Sequence, residues 1–183
     1  MDSFEQVIAG LLRQKGYWVS QGFKVDLSKE EKIVIGRPTT PRWEIDLLAY
    51  SGARNELLVV ECKSYLDSTG VAASDLREVG NSKSRYKLFV DEKLRGVVFG
   101  RLQVQLYELG FIPENAKFKL ALAAGKIRNE KDREELFSQF KQMNWDLYDS
   151  RWIVSALKDA AGSSYFDSIS HVVSKIINRN SNH

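Results

Sequence analysis

Apolar positions along the chain recur with two periods. Phe4, Val7, Ile8, Leu11 and Leu12 return at helical spacing, and Ser3 with Gln6 fits a capping box. The pattern predicts a first helix that stops at Gly16. Tyr17 to Val25 reads as a strand with imperfect alternation, whereas residues 28–35 follow neither period. Two prolines between Arg37 and Pro41 make that stretch a loop. Arg42 to Tyr50 and Glu56 to Lys63 then read as two strands joined by the turn-like stretch SGARN, which predicts a hairpin.

Residues 71–92 read as a helix interrupted at Gly80. Leu94, Val97, Val98, Leu102, Leu106 and Leu109 form a helical stripe that ends at Gly110 and Pro113. Gly96 and Gly100, four apart, are expected to let another element pack closely there. Phe118 to Ala124 predicts a strand, 130–143 an amphipathic helix, and Trp145 to Tyr148 a short edge strand. Helices over about 151–161 and 166–178 finish the chain. Their order, α-β-β-β-α-α-β-α-β-α-α, predicts one α/β domain spanning 1–183, a mixed β-sheet flanked by helices. No repeat, low-complexity tract or long linker divides it.

Composition narrows the chemistry only slightly. The chain has 183 residues, 43% apolar and 28% charged, an ordinary globular balance for one domain. Its single cysteine, Cys62, excludes an internal disulfide framework and a cysteine-based zinc site. No apolar run approaches the roughly 18 residues of a membrane span, and MDSFEQ lacks the basic start of a signal peptide. The expectation is a cytoplasmic protein without a membrane partner. The net charge of +3 permits an anionic partner. Between Arg77 and Gln105 seven basic residues face three acidic ones, a surplus of four that exceeds the charge of the whole chain.

Three charges interrupt the apolar pattern of the hairpin. Asp46 lies between Ile45 and Leu47, and Glu61 and Lys63 end an otherwise apolar strand. Strand alternation puts Glu61, Lys63 and Val59 on one face, with Cys62, Val60 and Leu58 on the other. A short connection makes the strands antiparallel neighbours, so Asp46 and Glu61 can meet across the ladder. Two carboxylates suit a hard cation such as Mg²⁺, which is held by one or two carboxylates, waters and substrate phosphate. A lysine beside them can orient an attacking water and offset developing charge. The structural alternative is that Glu61 and Lys63 mark an exposed strand end while Asp46 pairs with Arg42.

Asp46, fourteen residues, Glu61, one residue and Lys63, on a hairpin behind an N-terminal helix, resemble the PD-(D/E)xK nuclease superfamily. That group includes restriction-endonuclease-like and Holliday-junction-resolvase-like enzymes. Ile45 stands where the proline of the motif would be. The resemblance covers about residues 1–125, an α-β-β-β-α-β core, and leaves a C-terminal helical addition over about 150–183. It implies a restriction-endonuclease-like fold and a nuclease acting on DNA with Mg²⁺ or Mn²⁺. It also implies that Asp46 and Glu61 hold the metal and Lys63 acts on the attacking water. The backbone carbonyl of Cys62 becomes an extra ligand, and Glu5 on the first helix is the match for an acid that joins the metal in many members. Such nucleases are often homodimers, for which the last two helices offer a surface. The other function class is a module on the same fold that binds nucleic acid or protein without cutting.

Lys83, Arg85, Tyr86 and Lys87 form the candidate nucleic-acid patch, with Tyr86 to stack on a base; a solvated helix face also explains the run. Glu44 is either a second acid or an edge charge. Ser64, Tyr65, Ser68, Thr69 and Gly70 either touch phosphate or, for Ser68 and Thr69, cap the next helix. His171 is expected on a helix surface, the four tryptophans in the core, and the Cys62 thiol buried and aimed away from the site.

Overall fold

Helix α1 (Ser3–Gln14) is capped one residue earlier than the Ser3–Gln6 spacing predicts. The Asp2 carboxylate accepts the Phe4 N–H at 3.0 Å, and the Glu5 side chain accepts the Asp2 N–H. An acidic cap is favoured over a hydroxyl here because the helix N-terminus carries positive potential. The structure, a computed structural model, describes residues 2–39, 42–77, 85–162 and 168–180.

Strand β1 (Trp18–Val25) follows, then the short helix α2 (Lys29–Val34) in the stretch without a clear period. Ser28 and Glu31 form a capping box that starts α2, and its six residues are too few to show a helical stripe. Strands β2 (Trp43–Ser51) and β3 (Glu56–Lys63) make the expected antiparallel hairpin. The region read as one interrupted helix instead holds a 3₁₀ turn over Ala73–Leu76 and the single-turn helix α3 (Lys87–Val90); Gly80 lies outside the described residues. Asp91 then caps α4 (Glu92–Glu108), accepting the Leu94 N–H at 2.9 Å. The remaining elements are β4 (Lys117–Ala124), α5 (Glu130–Gln142), β5 (Asp146–Tyr148), α6 (Ser150–Gly162) and α7 (Ile169–Asn180).

The five strands lie in the order β1-β2-β3-β4-β5. The first three are antiparallel neighbours, whereas β4 is parallel to β3 and β5 to β4. Parallel neighbours need crossovers, supplied by α3 and α4 and then by α5. One sheet face packs Leu48, Leu57, Val59, Leu120 and Leu122 against Leu94, Val98, Leu102 and Leu106 of α4 and Leu136 and Phe140 of α5. The other packs Leu47, Leu58, Val60 and Ala121 against Ile8, Leu11 and Leu12 of α1 and Ile153 of α6. This is the expected α/β class, a mixed sheet between two helical layers.

Three expectations about single residues are corrected. A Cβ at Gly96 or Gly100 meets nothing within 4 Å, so these glycines admit no close neighbour; the buried stripe of α4 runs along its opposite side. His171 is fully buried, because α7 packs on α6 and α1 and brings Gln14 Nε2 to 3.1 Å from its Nδ1. Trp18 is 85% exposed at the start of the edge strand β1, outside both core layers. No described helix is long and apolar enough to cross a membrane.

Candidate active site

Strands β2 and β3 part at the end that carries the charges. Their ladder runs from Ser51 opposite Glu56 to Leu47 opposite Val60 and stops there. The next β3 amide that faces β2 belongs to Cys62, and the Asp46 side chain takes it, with Oδ2 accepting the Cys62 N–H at 2.7 Å. Strand β1 contributes to the same break. Gln21 pairs with Leu47 and Phe23 with Ile45, but Gly22 between them has φ +60° and leaves Asp46 without a ladder partner. Strict alternation would place Ile45 in the layer of Leu47; it lies instead with Leu48, in the layer of α4. Asp46 therefore marks a change of face within β2.

Asp46, Glu61 and Lys63 line one cleft of about 540 Å³. Glu61 Oε1 and Lys63 Nζ form an ion pair, with side chains 24% and 19% exposed. Arg42, the sequence's alternative partner for Asp46, binds Asp26 at 2.5 Å instead. Glu44 lines the cleft as well and is exposed, as an edge charge would be.

The charges are mutually tuned. Burial raises the pKa of Glu61; the nearby Lys63 ammonium opposes this, and the Asp46 and Glu5 carboxylates add to it. Burial disfavours the charge of Lys63, but the field of Glu61 and the hydrogen bond to it outweigh that cost and raise its pKa. Lys63 is thus a cation held in place at neutral pH. Burial, followed by the charge of Asp46, raises the pKa of Glu5, which is not among the residues lining the cleft. Glu5 remains engaged in the capping box, and the described residues contain no cluster of three or more His, Cys, Asp or Glu side chains set to hold a metal.

The donor set is two carboxylates and a carbonyl. In a strand the N–H and C=O of one residue leave the same edge. The Cys62 carbonyl therefore faces the gap spanned by Asp46, while its buried thiol belongs to the opposite layer, below α1. Burial pushes that thiol's pKa up, which leaves it neutral and chemically quiet. Oxygen donors of this kind fit a hard divalent cation that keeps water and phosphate in its other positions.

Comparison with known protein families, curated proteins and solved structures finds no match to this chain.

The four candidate nucleic-acid residues split into three cases. Arg85 and Lys87 line the cleft, and Arg85 donates to Tyr65 Oη at 3.4 Å. Lys83 lies outside the described residues. Tyr86 is corrected: its ring is 2% exposed within the core below α4 and offers no face to a base. The sequence reading missed Trp43 and Arg37. Trp43 lines the cleft, with the Arg37 guanidinium 5.8 Å and the Lys87 ammonium 6.0 Å from its ring centroid. No spacing rule joins these three residues, since they come from a loop, a strand start and a helix start. Ser68 caps no helix; its hydroxyl donates to Tyr65 O and accepts from Gly70 N–H within a turn.

Proposed function

We propose that this chain is a Mg²⁺- or Mn²⁺-dependent endonuclease-like enzyme that hydrolyses DNA phosphodiester bonds, built on a restriction-endonuclease-like fold. The observation that carries the reading is the convergence of Asp46, Glu61 and Lys63 from two parting strands into one cleft with cations on its rim. The element order supports it: apart from the short α2 between the first two strands, a helix, three antiparallel strands, a helical crossover and a parallel strand follow the α-β-β-β-α-β core that the resemblance implies.

Asp46, Glu61 and the Cys62 carbonyl would hold the metal, with Glu5 contributing charge from α1. When bound, the ion would polarise the phosphodiester and offset charge on the leaving oxygen. Glu61 anchors the Lys63 ammonium, which donates hydrogen bonds to the attacking water and to the oxygens of the phosphate as charge builds there. Arg85 and Lys87 draw the DNA backbone to the rim. A homodimer has an apolar surface available, since Val154 of α6 and Val173, Ile176 and Ile177 of α7 are exposed.

The test is incubation of the purified chain with labelled linear, nicked, branched and single-stranded substrates in Mg²⁺ or Mn²⁺, beside Lys63→Ala. Cutting that needs metal and falls at least about a hundredfold in the variant is the expected result. Cutting that survives the substitution removes Lys63 from the mechanism. Salt-sensitive binding without cutting favours the non-cleaving module.

A further inference from the structure

Tyr65 lines two clefts of opposite character. The acid–lysine cleft on one side sets the cations Lys63, Arg85 and Lys87 against the carboxylates Glu44, Asp46 and Glu61. The other, about 570 Å³, lies against the start of α1. Its apolar walls are Phe4 and Val7 from α1 and Tyr65 and Leu66 from the segment after Lys63, and its charged groups are Asp2 and Asp67. That volume is within the usual range of small-molecule sites, about 300–1,000 Å³.

The segment packs closely against Gly125. Tyr65 has φ +44°, a left-handed conformation that costs free energy in a bulky residue. A Cβ on Gly125 would fall within 3.1 Å of Leu66 Cδ2, within 3.2 Å of Phe4 Cε2, and deep inside the van der Waals radius of Ser64 O. Seated on Gly125 in this way, Leu66 remains 63% exposed at the mouth of the cleft.

Charge decides what fits where. A phosphodiester is repelled by Asp2 and Asp67, which no cation among the described residues of their cleft offsets, whereas Lys63, Arg85 and Lys87 balance Glu44, Asp46 and Glu61 in the other. A neutral flat ring suits the walls of Phe4, Val7, Tyr65 and Leu66, and carboxylates accept from exocyclic amino groups of bases. One nucleotide unit carries both halves. We infer that the cleft beside α1 receives an unpaired nucleobase next to the scissile phosphate. The preferred substrate is then a strand with at least one base out of the stack, as in a single strand, flap or junction. This rests on the nuclease reading for the position of the phosphate.

The experiment measures fluorescence anisotropy of a short labelled strand, alone and annealed into a duplex, with the full chain and divalent metal withheld. The unpaired strand binds about tenfold tighter or more, in line with stacking of about 1–3 kcal/mol per base. Leu66→Asp abolishes that preference and Leu66→Met retains it; the exposed position lets both fold, checked by thermal unfolding. Equal affinity for the two forms, or a preference that survives Leu66→Asp, overturns the inference and leaves the nuclease reading intact. In the parallel assay with Mg²⁺, a Leu66-dependent preference without cutting upholds the base site and removes hydrolysis instead.

Discussion

The Asp46 carboxylate accepts the backbone N–H of Cys62 at 2.7 Å, where the β2–β3 ladder has ended. A side chain thus stands in for a ladder acceptor, fixing one carboxylate beside the strand edge that carries Glu61 and Lys63. The two jobs of Asp46 are separable. Asp46→Asn keeps an acceptor for the amide and so keeps the fold, whereas Asp46→Ala leaves the amide unpaired at about 1–3 kcal/mol. If Asp46 holds the metal, Mg²⁺ should raise the melting temperature of the wild type by mass action, and Asp46→Asn should lose that rise. A Mg²⁺ shift unchanged in the Asn variant would remove Asp46 from the metal site.

Two glycines respond oppositely to the same methyl group. At Gly125 a Cβ collides with Ser64, and the Gly125 N–H also holds the Lys63 carbonyl at 2.9 Å. Gly125→Ala is therefore expected to destabilise by about 1–3 kcal/mol and to displace Lys63, and on the proposed nuclease reading it lowers cleavage as well. Gly96, inside α4, faces open space, so Gly96→Ala stabilises by about 0.5–1 kcal/mol. Urea titration of both variants measures the difference.

Arg85 and Lys87 line the cleft with Trp43 and Tyr65, and the Arg37 guanidinium lies against the Trp43 ring. If each neutralises a phosphate, single alanine substitutions lower the slope of log affinity against log salt by about one each. Substitution of Arg77, which is paired with Glu135 on α5, serves as the control and leaves the slope unchanged.

Asp132 ties the turn at Ala73 to α5. Its carboxylate accepts from Ala73 N–H at 3.1 Å and from Arg128, and the Arg128 hydrogen bonds hold its pKa below the usual value. A depressed carboxylate pKa stabilises the fold above the unfolded-state value, about 4, and that contribution is lost as the pH falls through the lower folded-state value. Stability measured from pH 6 downward should therefore fall less steeply in Asp132→Asn than in the wild type. Parallel curves would show that Asp132 does not drive the acid transition.

The hairpin was legible because its charges interrupt apolar runs: a charge between Ile45 and Leu47 announces its cost wherever the strand lies. The Ser28–Glu31 box was equally visible as a pair, but six residues give no periodicity to support it. Tyr86 misled because a polar tip flanked by Arg85 and Lys87 reads as surface, whereas its ring packs under α4. His171 misled similarly, since helix spacing cannot say that α1 lies across α7.

By itself the sequence determined the hairpin, the faces of β3 and the acid–acid–lysine set, because strand alternation and the cost of burying charge are local rules. Only the tertiary structure decided that Asp46 would leave the ladder to hold the Cys62 amide, and that Trp43 would line the cleft with Arg37 against its ring. It also decided that Gly125 would clamp the segment after Lys63 between two clefts. Those relationships join residues far apart in the chain through the parting of two strands and the close approach of a third, which no local pattern encodes.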